Sequence, residues 1–93
     1  MNNIDVGKIS FIEQKLRELL VEYAIVDMPP EEIDLNEKIH ATFVNSILFI
    51  KIVVALETEF EFEFADEDLD VEKYTTLNDI VKYVYNVIGK KRK

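Results

Sequence analysis

Ninety-three residues with 48% hydrophobic and 32% charged side chains leave room for one modest core in a single domain over 1–93, and exclude a disordered or collagen-like chain. Cysteine is absent, which removes disulfides, thiolate metal sites and cysteine nucleophiles. The formal charge is −8, and residues 1–89 hold seven basic against nineteen acidic side chains, a body that repels nucleic acid and anionic membranes and attracts basic partner surfaces.

Two glycines and two prolines are the only strong punctuation in the chain, so helix should dominate. The opening MNNIDVGKIS lacks a basic region followed by an apolar stretch. The apolar run from Ile47 to Leu56 is broken by Lys51 and too short to span a bilayer. A cytoplasmic protein is expected. Ile9, Ile12, Leu16, Leu19, Leu20 and Tyr23 follow helical spacing, and Ser10 with Glu13 has the form of a capping box, predicting a first helix over 10–26. Met28-Pro29-Pro30 stops it, because proline lacks the amide donor and disfavours helix in the residue before it. A polar connection follows to Val44, with Ile33, Leu35 and Ile39 as its anchors to the core.

Residues 46–60 contain no Gly or Pro and place Ile47, Ile50, Val53, Val54, Leu56 and Phe60 at helical spacing. The β-branched run Ile52–Val54 argues for a strand, but the length and the ending Ala55-Leu56-Glu57 favour helix. Phe60 to Phe64 alternates with period two and, without a clear pairing partner, reads as the helix end passing into an extended loop. Residues 57–72 carry nine acidic side chains and no basic one, a solvated loop with a short helix near 66–71. Asp66, Asp68 and Asp70 superficially resemble a calcium loop, yet Val71 stands where glycine is needed and Leu77 where a bidentate Glu is needed, so no metal is expected. Thr76 caps a last helix with Asp79 as its weak reciprocal partner, and Leu77, Ile80, Val81, Val84 and Val87 form its apolar stripe. Gly89 is the expected stop, and the basic tail 90–93, expected to be flexible, complements the negative helix end.

Catalysis needs several groups that trade protons or bind metal, and the chain offers a single histidine. A hydrolase built on Ser46 and His40 lacks the glycines that flank a serine on a sharp strand-to-helix turn. With Gly7 and Gly89 the only glycines, no phosphate-binding glycine loop exists either. The residues point away from an enzyme.

The segments NSILFIKIVVALETEFEFEFADEDLD and TTLNDIVKYV resemble the phosphopantetheine-binding carriers of the acyl and peptidyl carrier family. The family pattern is an Asp-Ser-Leu triplet opening the second helix, an ending Ala-Leu-Glu-x-x-Phe, an acidic loop and Thr-x-x-Asp opening the last helix. Ser46, Ala55-Leu56-Glu57 with Phe60, and Thr76 with Asp79 stand at the matching positions. The resemblance implies an all-α bundle of three main helices and one short one, in a stand-alone monomer. It implies 4′-phosphopantetheine from coenzyme A on Ser46, holding acyl or aminoacyl groups as thioesters for nonribosomal peptide, polyketide or fatty-acid-type synthesis. The implied partners are a phosphopantetheinyl transferase, an adenylating or ligating enzyme that loads the cargo, and downstream synthase enzymes, with no nucleic acid and no membrane.

Asn45 replaces the usual Asp and Ile47 the usual Leu, and Thr42-Phe43-Val44 occupies the place where a glycine is common. Asn keeps the size and hydrogen bonding of Asp and drops its charge, so the change falls on recognition by the transferase. Leu48, Phe49, Ile50 and Lys51 are similar to peptidyl carriers, whereas the acidic stretch from Glu57 to Glu72 is similar to acyl carriers. Ser46 is also expected to cap its helix, a role compatible with attachment. Consecutive helical residues are about 100° apart, so Ile47, Leu48 and Phe49 cannot all face one core. Ile47 with Leu48 or Phe49 is expected to form an apolar contact patch unless a loop covers it, with Asn45 and Glu57 as further partner contacts. The alternative is a carrier-shaped binding or scaffold protein that acts through its acidic, apolar-patched surface without the arm.

Overall fold

Ile12, Leu16 and Leu20 recur every fourth residue and are fully buried, which lays one stripe of a helix against the core. In the computed structural model, which describes residues 6–91, they lie on α1, Val6–Glu22. The helix starts four residues ahead of Ser10, so Ser10 and Glu13 sit inside it and do not cap it. Gly7 in the first turn does not stop the helix, and Ile9 already packs on the core. The end also falls earlier than the prolines require. Ala24 adopts a left-handed φ of 59°, and the amides of Ile25 and Val26 both turn back to the Leu20 carbonyl, at 2.8 and 3.3 Å.

The connection that follows is anchored as its apolar residues predict, with Ile33, Leu35 and Ile39 all buried. Arg17 on α1 donates from Nε to the Ile33 carbonyl at 3.1 Å, fixing the loop after a 3-10 turn at Pro30–Glu32. A four-residue helix, α2, Ile39–Thr42, was not expected from the sequence. Its start depends on a distant partner, because the Ile39 amide donates to the Thr75 carbonyl at 2.9 Å.

The third helix, α3, Ser46–Phe60, keeps the predicted bounds. Glu61 takes a left-handed φ of 56°, and its own amide and that of Phe62 close on the Glu57 carbonyl. Beyond it the chain runs extended, and the period-two pattern buries Phe62 and Phe64 while Glu61 and Glu63 stay exposed. Residues 66–71 do not form one short helix. Two 3-10 turns, Asp66–Asp68 and Val71–Lys73, stand there, so the short helix of the bundle is α2, upstream of Ser46. Among the described residues no group of three or more His, Asp or Glu side chains could hold a metal.

The last helix, α4, Leu77–Lys91, passes straight through Gly89. The predicted stop there is not used: Gly89 has no left-handed φ and lies exposed within the helix. Residues 92–93 of the tail lie outside the described residues. α1 packs against both α3 and α4, and the space between α3 and α4 is filled by rings. Phe49 meets Phe43 at 5.8 Å and Tyr74 at 5.5 Å, and Tyr83 stacks on Phe64 at 4.5 Å. Burial, then the negative Asp68 beside it, holds the Tyr74 hydroxyl well above the usual phenol range, as a proton donor to the Asp68 carbonyl at 2.8 Å.

Candidate functional site

Asn45, extended at φ −153° and ψ 165°, ends the connection, and Ser46 is the first residue of α3. The cap is therefore Asn45, whose Oδ1 accepts the Leu48 amide at 3.1 Å, and not Ser46 as expected. The Ser46 side chain is left exposed. A helix start leaves several amides without an intrahelical acceptor, and those of Ser46 and Ile47 find none among the described residues.

The start of α4 is built differently. There the Leu77 and Asn78 amides donate to the carbonyls of Glu37 and Leu35, at 3.1 and 2.8 Å, and the Asp79 carboxylate accepts from Thr75 and Thr76 at 2.8 and 3.2 Å. The reciprocal half of the predicted Thr76–Asp79 box is present and closes that helix end, whereas the Thr76 hydroxyl makes no hydrogen bond among the described residues. α3 keeps its end open, with no carboxylate in its first turn.

Of the residues expected to meet partners, Ile47 is 67% exposed and Leu48 half-buried. Phe49 is 0% exposed, which removes it from any contact surface: two residues, or about 200°, past Ile47 it points into the core. Glu57 lies eleven residues on, about 16 Å along the helix axis, and its carboxylate accepts the Phe64 amide at 2.8 Å, holding the loop. The face beside Ser46 instead gains Val44, 79% exposed, with Lys51 and Val54 below it. Their spacing with Ile47 is helical, but α3 is apolar nearly all round, and periodicity alone could not say which side faced out. His40, on α2, places Nε2 3.5 Å from the Glu72 carboxylate.

A phosphate ester on Ser46 would lie at the positive end of the α3 dipole, beside two amides without acceptors and no first-turn carboxylate. These residues fit such a group. A family model described as the phosphopantetheine attachment site matches residues 14–84. The chain belongs to this carrier family. As a member it carries covalently attached 4′-phosphopantetheine, and the match takes in the second half of α1 as well as the segments whose motifs were legible. A search of curated proteins found no match. No helix among the described residues is long and apolar enough to cross a membrane.

In this carrier Asn45 caps α3 from the position where the family pattern has Asp. Asn45→Ala should lower stability by about 1 kcal/mol, and Asn45→Asp should hold or slightly raise it through the dipole. Thermal melts of the two variants check this, and equal melting temperatures for Asn45→Ala and the parent would remove the cap from the account.

Proposed function

We propose that Ser46 is the attachment residue and that the chain carries acyl or aminoacyl intermediates between enzymes without catalysing their reactions itself. The observation that supports this most is the exposed Ser46 hydroxyl at the open N-terminus of α3, within the matched segment. The oxygen forms a phosphodiester with the phosphopantetheinyl phosphorus of coenzyme A, the pyrophosphate bond breaks to release adenosine 3′,5′-bisphosphate, and the transferase takes the hydroxyl proton. When bound, the group supplies a thiol that this cysteine-free chain lacks, and holds cargo on it as a thioester.

The chain's own residues do the rest. Asn45 fixes the first turn, so the hydroxyl projects from a rigid base, and the Ser46 and Ile47 amides stabilise the negative charge placed there. Tethering then replaces free diffusion by a high local concentration at each partner. Incubation with coenzyme A and a broad-specificity transferase, read by intact mass, tests the attachment.

Val44 and Ile47, beside half-buried Leu48, form the apolar contact patch of this reading. Lys51 is the one charged residue of α3 ahead of Glu57, so this face offers partners an apolar surface with a positive edge. Glu57 to Glu61 lie at the far end of α3, whereas Glu72 lies back beside His40 on α2. Ile47→Asp is expected to cut kcat/KM for modification about tenfold, with the melting temperature within a few degrees of the parent. An unchanged rate would exclude Ile47 from the transferase contact.

A further inference from the structure

A cavity of about 350 Å³ lies between the turn after α1, the connection and the start of α4. Ile25, Val26, Ile33 and Leu77 give it an apolar lining, with Met28 half-exposed beside them. Three carboxylate residues, Glu32, Asp34 and Glu37, also line it, and no basic residue does. Of these three carboxylates the chain itself engages Asp34, whose Oδ1 accepts the Asn36 amide at 2.9 Å.

Thr42 adds an independent sign. It lines the same cavity, it is only 8% exposed, and no described residue hydrogen-bonds its hydroxyl. Among the described residues no fully enclosed side-chain oxygen or nitrogen lacks a partner, so this hydroxyl keeps a small opening, at a residue that lines the cavity. Whatever enters the cavity is what can satisfy it. The walls are held in place before any ligand arrives. The left-handed Ala24 turns Ile25 and Val26 back to Leu20, Arg17 fixes Ile33, and the Leu77 amide donates to the Glu37 carbonyl.

An apolar pocket with a purely acidic set of charged residues matches one chemistry. We propose that this cavity binds a primary ammonium carried on a short apolar body, the apolar part against Ile25, Val26 and Leu77 and the ammonium against Glu32 and Glu37. A carboxylate-bearing or plain hydrocarbon ligand lacks the charge these walls select, and the volume suits a small molecule at the lower end of ordinary ligand sites. The ammonium has two sources. One is a free amine. The other is an aminoacyl cargo on the chain's own arm, since Thr42 is four residues from Ser46 and so at most about 14 Å from it. This second source rests on the carrier reading, and the first does not.

Leucinamide and its uncharged analogue 4-methylpentanamide separate the charge from the apolar body. Titrated into the unmodified, ¹⁵N-labelled chain, leucinamide should shift the amides of Val26, Ile33, Thr42 and Leu77 saturably, and the analogue should bind at least about fivefold more weakly. Glu32→Gln with Glu37→Gln should weaken leucinamide by a similar factor. If that variant fails to fold, the comparison of the two ligands on the parent chain still decides. A second arm compares the same amides in chains bearing an empty and a leucyl-loaded arm. Shifts in both arms assign tethered cargo, and shifts with free leucinamide alone assign a free amine. Absence of saturable shifts in the free-ligand titration, or equal binding of both ligands, overturns the proposal. The free-ligand titration needs no modified protein, so a chain that never accepts the arm would end the carrier reading and leave this test standing.

Discussion

Ser46→Ala is expected to abolish uptake of the phosphopantetheinyl group, whereas the parent chain gains one such mass. The new bond forms at the serine oxygen, and alanine offers none, so the effect is complete and not a matter of degree. The substitution is also structurally mild. Asn45, and not Ser46, holds the Leu48 amide, Ser46 is exposed, and alanine is the best helix former, so stability should change by no more than about 0.5 kcal/mol. A folded, unmodified variant therefore isolates the hydroxyl. A mass gain persisting in Ser46→Ala would move the attachment to another residue. No gain in the folded parent with several transferases would instead favour the scaffold that works through its surface alone.

Asn45 gives that experiment a second arm. The family pattern has Asp before the serine, and here the amide makes the cap without that charge. The two functions of that position are thus separated by this sequence. If Asn45→Asp raises the modification rate with little change in melting temperature, the charge is read by the transferase and the cap is not what limits it.

The parts of the fold that were legible are those set by near neighbours. Residues 46–60 form a helix because they contain no breaker and keep an apolar face through Phe49, Ile52, Val53 and Leu56. Thr76 and Asp79 are three residues apart, and their pairing needs only the local backbone. The same local logic failed at Ser10, whose pattern is identical to a capping box but lies within a continuous helix. It failed at Gly89 for a related reason: glycine permits a left-handed stop without requiring one. α2 was invisible because four residues cannot nucleate a helix unaided, and Ile39 is pinned by Thr75 from across the chain. At the site, Ser46 was found by its motif, but both Asn and Ser are good caps, and only the backbone angles show which residue stands outside the helix. The cavity lined by Thr42 had no sequence signal, since its walls come from the turn after α1, the connection and the start of α4.

Phe49→Ala is expected to be the most damaging substitution in α3, at about 3–5 kcal/mol. The residue is fully buried, and its ring touches Phe43, which leads into Ser46, and Tyr74, which leads into α4. Removing it opens a cavity between those two elements and leaves the Tyr74 ring without its neighbour. For a domain of this size the loss corresponds to a fall in melting temperature of at least about 12 °C, a large share of a typical total stability. Ile47→Ala, two residues earlier on the exposed side, should cost under about 1 kcal/mol. The pair of melts measures the orientation of α3 directly. Were Phe49→Ala to melt within a few degrees of the parent while Ile47→Ala fell steeply, the helix would be turned by half a revolution. The exposed patch beside Ser46 would then have to be drawn through Phe49.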